Sequence, residues 1–286
     1  MTGTSVVDQI RLGDHVCWTY DDEGAALNVA GRFAATGLRL GHKVICFTDS
    51  STPQALRARV QAAGVSAEAA VAAGQLQVVP AAERYLSGER LVPEALVAAV
   101  VDEVTRGQRE GYPGVRLCGD MSWVLRSRTT LDELHRYESA LNPHFLDARI
   151  AGLCLYDRRL FPADRLRALA AAHPGTAAPE SDRTWSPLLR AYRMTDPPGL
   201  RLVGEVDQSN REAFTAVLND VTGVGAASRA PVLDVSELSF ADVGAATALV
   251  RADRSSATGI RLVGCRPALS RLLGLLDSGT PTGSRA

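Results

Sequence analysis

No apolar run in this sequence approaches the roughly 20 residues that cross a bilayer, and its start shows no charged segment leading into an apolar one. Neither membrane insertion nor export is therefore written in it, and the cytoplasm is the expected location. An excess of one charge is also missing: 31 Lys and Arg against 32 Asp and Glu leave a formal net charge of -1. That balance gives no general pull toward nucleic acid or anionic lipid, and no basic face or helix-turn-helix pattern points to DNA. The five cysteines are odd in number and lack Cys-x-x-Cys spacing, which favours reduced, buried thiols over a disulfide framework. Neither Gly-x-x-x-x-Gly-Lys-Ser/Thr nor Gly-x-Gly-x-x-Gly follows the first strand-like run, so a standard phosphate cradle is absent there.

What is present reads as two soluble α/β domains. The 286 residues, 46% hydrophobic and 22% charged, suffice for two ordinary cores. The chain is organised around His15, Val16, Cys17, Trp18, Thr19 and Tyr20, a strand broken by Asp21 and Asp22 and followed by an amphipathic helix to Leu40. Strand-like runs recur at 43–49, 76–79, 115–121 and 150–157, with helical spacing between them. Short apolar runs without alternation predict strands buried on both faces, as in a parallel sheet. A change of composition predicts a linker over 176–198, rich in Pro, Thr and Ala. It separates a first domain (1–175) from a second, smaller one (199–278), with a disordered tail over 279–286.

In a parallel sheet, ligands sit beyond the carboxyl ends of the strands, which makes Tyr20, Asp21 and Asp120 candidate contacts, with Trp123 either a pocket wall or ordinary packing. Four strands end in Cys followed shortly by Asp: Cys17 with Asp21, Cys46 with Asp49, Cys118 with Asp120, and Cys154 with Asp157. Those carboxylates either gather at one ligand edge or simply start each turn, and for any single Asp the turn is the stronger reading. His15 and Cys17, two apart on a strand, face the same way and can meet one ligand. They supply only half a zinc site. His144, His173 and Cys118 join them only if the fold brings them near, so no metal is expected. In the second domain Asp242 is a plausible helix N-cap, followed by Val243 and Gly244, where no hydroxyl is available.

Two resemblances rest on these residues. Gly13-Asp14-His15-Val16-Cys17 with Tyr20, Gly37-Leu38-x-x-Gly41, Gly119-Asp120-Met121-Ser122-Trp123, and Cys154-Leu155-Tyr156-Asp157 with His173-Pro174 resemble the MEDS family, the methanogen/methylotroph DcmR sensory domain, over about 10–174. That resemblance implies a RecA/KaiC-like α/β domain without a phosphate loop. It also makes His15 and Cys17 the leading ligand contacts. Leu202-x-Gly204-Glu205-Val206-Asp207 and the run from Asp234 to Asp242 are similar to the STAS domain of anti-sigma factor antagonists. That family commonly reads Asp-Ser-Ser-Gly-Leu at the helix start; here Asp242 matches while Val243 and Gly244 replace both serines. The resemblance implies docking of an anti-sigma factor or histidine-kinase-like ATPase around these three residues, without the phosphoacceptor.

Together these features predict a cytoplasmic, non-enzymatic regulator. A small-molecule or redox signal of unknown identity is read by the first domain and passed to a partner protein by the second, and a homodimer stays open. The rival is a degenerate nucleotide-binding or thiol-dependent enzyme using Asp120 or Cys17.

Overall fold

The structure, a computed structural model, describes residues 5–85, 91–182, 184–223 and 230–278. The chain divides into two compact units, Met1–Pro187 and Leu188–Ala286. The tail expected at 279–286 lies outside the described residues.

The first unit is a six-stranded, all-parallel sheet built from β1 (His15–Tyr20), β2 (Lys43–Thr48), β3 (Leu76–Pro80), β4 (Val115–Asp120), β5 (Ile150–Asp157) and β6 (Gly175–Ala177). The strand order is β3-β2-β4-β5-β1-β6. Every residue of β1 and β2 is buried, as their lack of alternation requires of strands covered on both faces. One face carries α1 (Glu23–Arg39), α2 (Pro53–Ala62) and α3 (Ala67–Ala72), which pack Phe33, Leu38, Leu56 and Val60 against Val16, Trp18 and Tyr20. A short α4 (Ala81–Tyr85) follows β3. The other face carries α5 (Pro93–Arg109), α6 (Leu131–Leu141) and α7 (Ala163–Ala171), joined in one core with Cys17, Ile45, Trp123 and Tyr156. Helix starts follow local chemistry: Asp22, Thr52 and Thr130 each accept a backbone N–H three residues on, and Pro53 and Pro93 open their helices. Lys43, the one lysine of the sequence, is sealed between β2 and its ion-pair partner Glu110, 5.6 Å from the Tyr112 ring.

The second unit is a four-stranded sheet, order β10-β9-β8-β7, from β7 (Leu189–Thr195), β8 (Pro198–Val206), β9 (Val232–Ala241) and β10 (Arg261–Val263). Its helices are α8 (Arg211–Thr222), α9 (Val243–Ser255) and α10 (Pro267–Ser278). β8, β9 and β10 run parallel, while β7 is antiparallel to β8, so the sheet is mixed.

The expected linker over 176–198 is corrected. Gly175–Ala177 adds the edge strand β6 beside β1, and Trp185 Nε1 donates to Thr176 O at 2.9 Å over that edge. Leu189–Thr195 is a full strand, and Asp196 and Pro197 form the two-residue connection of a hairpin, with Thr195 opposite Pro198. A proline at a hairpin turn or strand end has no N–H to lose from the ladder, so a proline-rich stretch need not be a linker.

Candidate functional site

β1 opens on His15, and its side chain shares a face with Cys17. Parallel pairing sets His15 beside Gly152 of β5 and Cys17 beside Cys154. A Cβ on Gly152 would lie 2.8 Å from Phe145 Cζ and 3.1 Å from His15 Cδ2. Its absence lets the His15 and Phe145 rings stack, with centroids 4.6 Å apart and planes 12° from parallel.

Onto this ring α6 lowers a carboxylate. Leu134, Glu138 and Leu141 are spaced four and three apart and all are buried, so Glu138 stands on the apolar stripe of its own helix. His15 Nε2 lies 3.3 Å and His173 Nε2 3.4 Å from Glu138 Oε2. Cys154 Sγ lies 3.5 Å from His15 Nε2 and 3.6 Å from Oε2. Tyr156 donates its hydroxyl to Oε1 at 2.5 Å. His15, Glu138 and His173 are fully buried, and the four candidate ligand atoms of His15, Glu138, Cys154 and His173 lie within 4.8 Å of one another.

The outer contacts fix the ring protons. Asn142 Nδ2 donates to Ala172 O at 2.8 Å and to Glu138 O at 3.2 Å, which leaves Oδ1 to accept from His15 Nδ1 at 3.1 Å. His173 Nδ1 donates to Leu169 O at 2.8 Å and so also closes the end of α7. With both Nδ1 atoms facing acceptors, each ring turns Nε2 toward Glu138, an acceptor when the ring is neutral and a donor when it is protonated.

Electrostatics follow burial. Loss of water, reinforced by the neighbouring His173, holds His15 below the usual histidine range. Burial alone would raise Glu138, yet the facing His173 and His15 outweigh it and hold the carboxyl low. Burial and the charge of Glu138 push the Cys17 and Cys154 thiols up, so both stay protonated and poorly nucleophilic.

The residues expected at a ligand site do not gather in one place. His15 and Cys17 belong to the cluster just described, on the α6 side and toward the start of the strands. Tyr20 and Asp120 lie at the carboxyl edge, where Asp120 accepts from Ser50 N at 2.8 Å, Ser50 Oγ at 2.5 Å and Ser122 N at 3.1 Å. Burial, with Asp120 nearby, pushes the Tyr20 hydroxyl up to about 12. A hollow of about 20 Å³ opens there beside Ser50, Cys118 and Asp120, room for one water. Asp21 is exposed and paired with Arg158 at 3.0 Å. Trp123, open between pocket wall and ordinary packing, is buried in the core on the α6 side. The four Asp residues that follow the cysteines are each held locally: Asp21 by Arg158, Asp49 by Arg126, Asp120 by backbone N–H groups, and Asp157 by Arg159.

In the second unit Asp242 caps α9, accepting from Ala245 N at 2.7 Å, and pairs with Arg211. The Arg211 guanidinium lies over Gly244, whose added Cβ would meet it at 2.1 Å. Val243 beside it is 57% exposed and Phe240 50%, so the helix start presents apolar surface.

The sequence reading missed Glu138. A carboxylate at an apolar-stripe position between Leu134 and Leu141 was the available signal. Cys154 and His173 carried no spacing that links them to His15.

Among solved structures, the flagellar accessory protein FlaH from Methanocaldococcus jannaschii is similar at 11% identity and a TM-score of 0.44, covering 70% of this chain and 82% of that chain. A search of the curated proteins found no match. Residues 14–174, which hold the whole His15 cluster, match the MEDS family, described as the methanogen/methylotroph DcmR sensory domain. Since that match spans more than half of the sequence, the chain belongs to the MEDS family.

Proposed function

We propose that this is a cytoplasmic signalling regulator in which the MEDS unit senses a small molecule and a STAS-like second unit relays the result to a partner protein. The observation that carries the reading is the polar cluster around His15. A carboxylate and two imidazoles sealed in an apolar core cost desolvation free energy that a hydrophobic set of equal volume would not. Groups whose proton affinities are displaced in this way concentrate at recognition sites. A small ligand is favoured over thiol redox chemistry, because the cysteines of the cluster are buried and held protonated.

The first unit is read as a RecA/KaiC-like domain that has given up its phosphate site. Its parallel sheet with helices on both faces supports this, and so does the turn after β1. Asp22 Oδ1 accepts from Ala25 N at 2.7 Å, so the helix start where a phosphate would sit already holds a carboxylate, flanked by Asp21 and Glu23. The same turn argues against a nucleotide-dependent enzyme, and the raised Cys17 thiol argues against a thiol-dependent one. In the second unit, three parallel strands and a helix capped by Asp242 support the STAS reading. Exposed Val243 and Phe240 suit docking of an anti-sigma factor or kinase-like ATPase, and Arg211 fills the place of the missing phosphoacceptor hydroxyl.

The test uses the full chain. Its affinity for a purified ATPase-type anti-sigma factor is measured while small polar organic compounds are titrated in, alongside native mass spectrometry for any retained molecule. A ligand that couples the units shifts that affinity by about tenfold or more, a coupling of about 1.4 kcal/mol. Binding that stays unchanged at ligand saturation refutes the relay, and absence of binding refutes the STAS reading.

A further inference from the structure

We infer that His15, Glu138, Cys154 and His173 form a tetrahedral site for a divalent metal ion of the zinc class. The inference goes beyond the sensing reading and does not depend on it. It also runs against the sequence expectation of no metal, which followed from seeing only His15 and Cys17 as neighbours.

Three observations converge. The first is the donor geometry. A tetrahedral zinc ion with bonds of about 2.0–2.3 Å to nitrogen, oxygen and sulfur sets its donors about 3.3–3.6 Å apart. Four of the six separations here are 3.3, 3.4, 3.5 and 3.6 Å, and the other two, both involving His173 Nε2, lie within 4.8 Å.

The second is the direction of the lone pairs. Asn142 Oδ1 and Leu169 O take the Nδ1 protons of His15 and His173, so in the neutral rings that a metal binds both Nε2 atoms are acceptors. They face Glu138 Oε2, which is also an acceptor, and His173 Nε2 makes no hydrogen bond. With both nitrogens within 3.4 Å of Oε2, three such acceptors repel unless positive charge lies among them. Ring nitrogens oriented through the opposite Nδ1–H are the usual outer arrangement of metal-binding histidines, and Tyr156 plays the corresponding part for the carboxylate.

The third is charge. One carboxylate, one thiolate and two neutral imidazoles balance a divalent cation, which leaves a sealed interior with no net charge. The thiol of Cys154 gives up its proton to solvent as the metal–sulfur bond forms, and no oxidant or reductant is needed. A set of one sulfur, two nitrogens and one oxygen suits zinc and cobalt better than magnesium or calcium. Since the ligands come from β1, α6, β5 and the segment after α7, the ion ties one face of the sheet to its helices.

The experiment is metal analysis of the full chain purified from zinc-supplemented cells, with cobalt-grown protein read by absorption. The expected result is one zinc per chain, and in the cobalt form tetrahedral d–d bands with a thiolate charge-transfer band. Cys154→Ser should remove the charge-transfer band and His173→Gln should lower the metal content. Cys118→Ala, on the opposite face of the sheet, should change neither. Should a variant fail to fold, wild-type stoichiometry and spectrum still decide. A wild-type chain that is folded by circular dichroism yet carries no metal, and whose stability is unmoved by added zinc, overturns the site and leaves a shared proton as what joins the acceptors. A cobalt spectrum that persists in Cys154→Ser also overturns the assignment. Neither result touches the partner-binding test above.

Discussion

Gly152→Ala tests whether the cluster is held as tightly as its geometry implies. The added methyl would stand 2.8 Å from Phe145 Cζ and 3.1 Å from His15 Cδ2, both closer than the ordinary contact of about 3.4–4 Å. Neither ring can swing away, because His15 is fully buried, Phe145 nearly so, and the two are stacked on each other. Overpacking of this kind costs about 1–3 kcal/mol. The stiffer unfolded chain of an alanine variant returns about 0.4–1 kcal/mol. The net expectation is a loss of about 0.5–2 kcal/mol. With a urea dependence of about 2–3 kcal/mol per molar, the midpoint falls by about 0.2–1 M. The probe is built in, since Trp18, Trp123 and Trp185 all lie within Met1–Pro187 and tryptophan fluorescence reports the first unit. Gly274→Ala is the control. Nothing stands within 4 Å of the Cβ it would add inside α10, so the second unit should gain about 0.5–1 kcal/mol while the fluorescence midpoint stays put. A Gly152→Ala protein as stable as the parent would show that the rings are loosely held, and the reasoning about fixed donors would fall with it.

Other sites make separate claims. Asp120→Ala leaves Ser50 N and Ser122 N without their acceptor and should cost about 1–3 kcal/mol in the fluorescence transition, with Asp120→Asn in between because one oxygen remains; equal losses for the two variants would contradict this. Burial, and then the Arg116 charge, hold His42 below the usual histidine range. Above about pH 6.5 it is neutral in both states and stability is full; as pH falls through that value the unfolded chain takes the proton first and stability drops. His42→Gln should flatten the urea midpoint against pH, and an unaltered profile would count against it. Asp242→Ala removes the cap on Ala245 N and should cost about 1 kcal/mol in the far-ultraviolet transition of the second unit, leaving fluorescence unmoved.

The strands of the first unit were legible because a parallel sheet writes itself as short, unbroken apolar runs, and β1, β2, β4 and β5 begin where those runs do. β6 and β7 were not, since prolines on either side suggested a linker. The Asp196-Pro197 turn and the edge position of Gly175 make those prolines harmless, and pairing of that kind depends on distant partners. His15 was legible as half of an i, i+2 pair. Its true neighbours lie 123, 139 and 158 positions further on, at Glu138, Cys154 and His173, joined only when α6 and β5 close over β1. Only Glu138 left a local trace, as a charge in an apolar stripe.

Lys43, buried and bound to Glu110, bears on how this protein is handled. Because every other cationic side chain is an arginine or a histidine, reagents directed at primary amines find no accessible side chain to modify. Amine-directed labels would then leave both the His15 cluster and the Asp242 helix start chemically untouched.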